Sequence, residues 1–494
     1  MVKAIRRSPF ATNPWVWLVV LVIFGLSAYF GAHARIRWLL LPLAVIGLVA
    51  LLQQPALGLF GLISVALLAR FQFSTGTDVL LNPATVLAPA LLGMWILIAL
   101  VRRESLLVPS RTNKPLFFFL LMGLLSLLIG NAFWDPSVPR GSNFTLVQLA
   151  QWSVFAFSAG VFWLTGSTVQ DEVWLRRLTF FFLALAGGLA LVLALPGGFA
   201  FANRVATYAL FRAPFWLLLT AVAGGQLLFN RRLSLGWRAF CLASLAAVLY
   251  YAFGLQRERL SNMVGVAVVA YVLIWLRWPR LRWALILLPI LGATIFSSTL
   301  YNFAGGDAKW DESGASRGVL IGRVLEVSMR NPITGIGPAA YRAYARMRPL
   351  SYQGAYWVDP QINSHNNYVD LCSQGGIVGL VLFLWFAVEL TRLAWRLRSR
   401  FREGFSSAYV NSMLAAWAAS LAIMLFADWI LPFVYNIGFP GFQASILVWL
   451  FLGGLISLER IATQKAQAVS ASVPPETDKA VGMQTPRLNA FGQN

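Results

Sequence analysis

The chain has 494 residues, of which 59% are hydrophobic and only 12% charged, with a net charge of +21. A soluble domain carries about a quarter charged residues, so these proportions exclude an ordinary water-soluble fold and indicate an all-α, polytopic membrane helix bundle. In a soluble protein such a charge would suggest a nucleic-acid partner. Here the basic residues sit in short clusters between apolar runs, as cytoplasmic anchors of membrane helices do, and no nucleic-acid partner is expected.

The chain starts with Lys3, Arg6 and Arg7 before an apolar run from Trp15 to Phe30 and a small-residue stretch at Ala32-His33-Ala34. That order imitates a signal peptide, but the many similar runs that follow favour a first transmembrane helix. A spanning helix needs about 20 mostly apolar residues. Candidate spans centre on Leu21, Val45, Ser64, Leu92, Leu121, Phe155, Leu183, Leu218, Ala246, Val268, Leu288, Phe383, Ala419 and Trp449, which gives about 12–14 transmembrane helices. Basic clusters recur at every second connection: Arg102 to Lys114, Arg176-Arg177, Arg231 to Arg238, Arg277 to Arg282 and Arg392 to Arg402. Those belong on the cytoplasmic side. A polar island from Arg317 to Gly379 then lies outside, and both termini inside; Arg35 and Arg37 run against this pattern.

The expected organisation is N-terminal transmembrane helices over 1–298, a large helical extracytoplasmic loop over 299–375, C-terminal transmembrane helices over 376–458 and a disordered cytoplasmic tail over 459–494. The tail is polar and lacks a hydrophobic period. Two cysteines, Cys241 and Cys372, stand far apart and in no metal-type spacing.

Chemistry concentrates in the island. It holds RGVLIGR at 317–323, NPITGIG at 331–337, NSHNNY at 363–368 and QGGIVG at 374–379. Ser316 can cap a helix with Leu320, Val324 and Val327 on one face and a solvated stripe of Arg323, Glu326 and Arg330 on another. Pro332 ends that helix, and Gly335 and Gly337 make a tight turn. A second short helix carries His365, Asn366 and Tyr368, and Gly375-Gly376 breaks it before the membrane. His365 is one of two histidines in the chain. Its imidazole titrates near neutrality and can take a proton from an attacking hydroxyl; the alternative is a histidine that only caps a helix. Arginine guanidinium groups pair bidentately with phosphate oxygens, which singles out Arg317 at a helix start and Arg257 and Arg259 at an outer junction. Arg323 is a weaker candidate, and Arg204 and Arg212 weaker versions of the Arg257 and Arg259 case. Asp359 and Asp370 are isolated carboxylates with structural roles the simpler reading, and no aspartate pair suggests a metal.

These motifs resemble the O-antigen ligase/polymerase superfamily of bacterial membrane glycosyltransferases. The resemblance rests on the arginine before NPITGIG at 331–337, on His365-Asn366-Asn367-Tyr368, on Gly376 to Gly379 and, more loosely, on Arg257 to Gly265. It implies a C-type helical glycosyltransferase fold without metal or other cofactor. The implied donor is an undecaprenyl-diphosphate-linked glycan, passed to a glycan, lipid or protein acceptor at the outer face of the cytoplasmic membrane. It also implies His365 as base and Arg317 and Arg259 as diphosphate-binding residues, with Arg257 and Arg323 beside them and Pro332, Gly335, Gly337 and Asn366 shaping the loop. A repeat-unit polymerase or protein transferase fits the same motifs. A transporter is the rival from another class; it predicts ionisable residues inside several spans, whereas most apolar runs here carry none at mid-depth.

Overall fold

A computed structural model describes residues 51–74, 76, 80–255, 260–295, 297–303, 315–347 and 363–472. The candidate spans at Leu21 and Val45, and the residues Arg257, Arg259 and Asp359, lie outside them.

The described chain is a polytopic all-α membrane protein. It runs through α1 (Leu57–Leu68), α2 (Pro83–Arg102), α3 (Asn113–Ala132), α4 (Phe144–Thr168), α5 (Glu172–Ala194), α6 (Gly198–Val205), α7 (Ala213–Phe229) and α8 (Leu235–Leu249). There follow α9 (Leu260–Arg277), α10 (Arg282–Ile295), α11 (Ser297–Phe303), α12 (Ala315–Ser328), α13 (Tyr341–Met347), α14 (Asn367–Arg400), α15 (Gly404–Ile423) and α16 (Gly438–Ser472). The short strands Phe73–Ser74 and Leu80–Leu81 pair antiparallel between α1 and α2. Among the described residues seven helices are long and apolar enough to cross a membrane. That is fewer than the apolar runs suggested: Leu57–Leu68, Ala213–Phe229 and Ser261–Arg277 are shorter than a full crossing, as is the 14-residue Arg282–Ile295, and Gly404–Ile423 is not among the seven.

Helix ends follow local chemistry. Asn82 and Thr85 form a reciprocal capping box before α2, and the Asp171 side chain accepts from Trp174 N at the start of α5. Both remove orphan backbone donors from the membrane boundary. The centre of the bundle is α16, whose apolar window is entirely buried. It packs closely on α4: a Cβ at Gly453 would stand 2.3 Å from Phe162 O. Small residues of this kind let membrane helices approach at backbone distance. The helix continues to Ser472, so residues 459–472 are helical where a disordered tail was expected. Arg460 explains part of this, since its guanidinium donates to Ser167 O at 3.1 Å and Val169 O at 2.6 Å.

The basic clusters meet at one end of the bundle. Arg396 pairs with Glu459 at 3.3 Å, Arg231 with Glu403 at 3.9 Å, and Arg398 donates to Leu276 O at 2.9 Å. The 34-residue α14 runs from that end to the polar island, roughly 50 Å along its axis. Its axis bends at Gly376, whose φ of 66° and ψ of −174° lie outside the helical range.

Candidate functional site

Two of the sequence motifs dock on each other at the bend. The turn from Asn331 to Gly337 meets the backbone freed by Gly376. Ile377 N donates to Pro332 O at 2.9 Å, Val378 N to Ile333 O at 3.3 Å, and Ile336 N to Ser373 O at 2.9 Å. Ser126 on α3 donates its hydroxyl to Gln374 O. Gly335 has φ of 79°, and a Cβ there would stand 2.4 Å from Gln374 O. At Gly376 a Cβ would stand 2.0 Å from Ile333 O. Only glycine combines the positive φ with that approach. Through Pro332 O and Gly335 the segment that follows α12 is held against α14.

The segment before α14 is built around Asp370. Its carboxylate accepts from Asn363 Nδ2 at 2.9 Å, Ser364 N at 3.1 Å and Ser364 Oγ at 2.6 Å. Asn366 caps the helix, its side chain accepting from Tyr368 N at 3.0 Å and Val369 N at 3.3 Å. Held from both sides, His365 takes a left-handed φ of 53°. Non-glycine residues in that region are uncommon and are kept there by their surroundings. Asp370 thus has the structural role expected of it.

Facing His365 is the connection between α15 and α16, residues 424–437. Asn367 pins it: Nδ2 donates to Leu431 O at 2.9 Å, while Oδ1 accepts from Ile430 N at 3.2 Å and Leu431 N at 3.3 Å. Gln151 on α4 clamps it further, donating to Pro432 O at 3.0 Å and accepting from Val434 N at 2.9 Å. This connection carries Asp428, which is wholly buried and accepts from Phe433 N at 2.8 Å and Asn436 Nδ2 at 2.6 Å. The same Nδ2 stands 3.5 Å from His365 Nδ1. Among the described residues His365 Nε2 has no hydrogen-bond partner.

The electrostatics follow from this packing. Burial is the main cause that holds the His365 pKa below 6.5; the Asp428 charge opposes it and the Arg317 charge adds to it. Burial likewise raises the Asp428 carboxyl above its usual 3.8, with the imidazole pulling it back. The imidazole is therefore neutral near pH 7, with a basic nitrogen available. Arg317 is depressed by burial alone and stays cationic, as guanidinium groups do. Its charge is one of those that act on His365.

Arg323 is placed differently. It is 8% exposed rather than solvated and pairs with Glu326 at 2.8 Å. Arg330 reaches across to Asp135 between α3 and α4 and lies 5.0 Å from the Tyr344 ring. Arg204 ends the short α6 in an exposed position. Two other cations approach the site wall: Arg342 lies 4.2 Å from the Tyr435 ring and Arg212 lies 5.5 Å from that of Trp429.

Sequence reasoning missed Asp428, Asn436, Arg342 and the anchor role of Asn367. A signal was present for the first. Asp428 is the only charged residue between Glu403 and Glu459, and a lone carboxylate in so apolar a stretch marks function by default.

Residues 243–384 match the sequence model of the O-Antigen ligase family. The superfamily resemblance read from the motifs is thereby confirmed over this segment, which holds Arg317, the two glycine turns and His365 but ends before Asp428. No curated protein matches the chain.

Proposed function

We propose that this protein transfers a glycan from an undecaprenyl-diphosphate carrier to an acceptor hydroxyl at the outer face of the cytoplasmic membrane. The observation that carries the reading is the meeting of a neutral imidazole, a buried carboxylate and a half-buried guanidinium at the end of the bundle opposite the basic clusters. Basic connections stay on the cytoplasmic side, so the island faces outward.

The chemistry uses each group once. The neutral imidazole of His365 accepts the proton of the acceptor hydroxyl as its oxygen attacks the anomeric carbon. The bond from that carbon to the diphosphate oxygen breaks, and the leaving diphosphate gains charge. Arg317 meets that charge in a site sheltered from water, where a fixed cation is worth far more than in bulk solvent. The buried charge of Asp428 favours the imidazolium that forms. A single in-line displacement inverts the anomeric centre. Arg257 and Arg259 belong to the same donor site in this reading, by the motif they resemble, and Arg342 is a further cation for the donor or the glycan. Arg323 is engaged by Glu326 on the same helix as Arg317. The acceptor class is a glycan, a lipid or a protein.

The test is transfer in reconstituted vesicles that contain a lipid-diphosphate glycan, with donor binding measured separately. His365→Ala is expected to abolish transfer and keep donor affinity; Arg317→Ala is expected to weaken both. Full transfer by His365→Ala removes the base assignment, and unchanged affinity in Arg317→Ala removes the clamp.

A further inference from the structure

At the basic end of the bundle, remote from His365, a cavity of about 680 Å³ opens between the starts of α5, α8 and α15. Arg176, Arg177, Arg232 and Lys465 line it. Glu172 and Glu403 also line it, but Glu172 is taken up by Arg176 at 3.2 Å and Glu403 by Arg231 at 3.9 Å. A surplus of positive charge remains. Two of the helices that open onto the cavity begin without a side-chain cap, at Ser234 for α8 and at Glu403 for α15. Their first backbone N–H groups are orphan donors with the positive end of a helix dipole behind them. Ser406, which is 4% exposed, also lines the cavity. Its hydroxyl has no hydrogen-bond partner among the described residues.

Among the described residues, uncapped helix starts, the cations Arg177, Arg232 and Lys465 without a carboxylate partner, and an unused buried hydroxyl converge on one hollow. Snorkelling arginines account for cations at a membrane boundary, but not for the hollow or for Ser406. We infer that this cavity is an anion site for a phosphate group, at the depth where the headgroups of anionic phospholipids lie. Basic pockets between membrane helices hold such headgroups by the same donors. The aromatic side of the cavity, Phe180, Trp237 and Phe405, gives the glycerol and upper acyl chain an apolar surface. The site is independent of the transfer chemistry proposed for His365.

The experiment uses the full chain, delipidated in detergent, with binding followed by native mass spectrometry. Dioleoylphosphatidylglycerol, dioleoylphosphatidylcholine and inorganic phosphate are the probes. The wild type is expected to prefer phosphatidylglycerol. Arg177→Gln, Arg232→Gln and Lys465→Gln should each weaken that binding roughly fivefold, the effect of one basic residue near an anionic surface. Arg400→Gln, exposed at the same end but outside the cavity, should leave it unchanged. Competition by millimolar phosphate would show that a soluble phosphate also fits; lipid binding without competition assigns the site to the headgroup. An equal affinity of the wild type for both lipids, with no binding of phosphate, overturns the proposal. So does an equal loss in Arg400→Gln, which would mean general surface attraction.

Discussion

Asp428 and His365 face each other across one amide: Asn436 Nδ2 stands 2.6 Å from Asp428 Oδ1 and 3.5 Å from His365 Nδ1. The residues are far apart in sequence, and the contact exists because Asn367 and Gln151 hold the α15–α16 connection against the start of α14. It sets the Asp428 carboxylate behind the imidazole, whose cationic form its charge favours, with the Asn436 amide as a donor between them.

The pH dependence of transfer follows, with the sign fixed by the base role. Activity needs neutral His365, and burial holds its pKa below 6.5. The acid limb of the rate profile is therefore expected below pH 6.5, with a flat region through neutrality. Asp428→Asn removes the influence that raises the pKa, so the limb moves further to acid. Arg317→Gln removes one that lowers it, so the limb moves toward neutrality. Initial rates from pH 4.5 to 8.5 for the three proteins check this. Shifts of the same sign in both variants would sink the geometry.

The docking of the two glycine turns makes a prediction about stability. Gly376→Ala places a Cβ within 2.0 Å of Ile333 O at a φ of 66°. The backbone conformation alone costs an alanine about 1–3 kcal/mol, and the collision adds to it. A lower unfolding temperature in detergent is expected, together with lost transfer, because the turn at 331–337 holds the segment that follows α12 against α14. Gly375→Ala is the control: a Cβ there meets nothing within 4 Å, and it should behave as the wild type.

Much of this fold could be read directly. Each of the twelve span centres from Ser64 to Trp449 falls in a described helix, because an unbroken apolar run in lipid has few alternatives to a helix. The bend at Gly376 was legible from the glycine pair, but the helix expected to carry His365 and Asn366 begins only at Asn367, with Asn366 as its cap and His365 before it. What could not be read depends on residues distant in sequence. The burial of Arg323 comes from how α12 lies on its neighbours, so its own periodicity read as a solvated stripe. The extension of α16 past Leu458 draws on Arg460 bonding carbonyls at the end of α4, which no local propensity reports. Asp428 needed only attention to its isolation, but its partner could come only from the fold.

Asn367 carries an unusual share of the site's architecture. It is 1% exposed and satisfies one carbonyl and two backbone N–H groups of the facing connection. Asn367→Leu keeps the volume but leaves those groups buried and unpaired, at about 1–3 kcal/mol for each group left unsatisfied. The expected result is a loss of thermal stability with transfer reduced at least as far as in Asp428→Asn, since Asp428 and Asn436 both ride on this connection. Near-wild-type activity would mean that the connection is held well enough by Gln151 alone.

The sidedness of the bundle yields the last prediction. Met329, just past α12, is 71% exposed and stands in the island, while Lys465 is exposed at the basic end. The native cysteines are replaced first, Cys241 being buried and Cys372 partly so, so that a single thiol reports each time. In intact cells a membrane-impermeant maleimide should modify Met329→Cys and spare Lys465→Cys, and permeabilisation should expose the second. The physical basis is the bias that keeps arginine- and lysine-rich connections on the cytoplasmic side. The reverse pattern of labelling would put His365 and Arg317 on the cytoplasmic side, and with them any donor they hold.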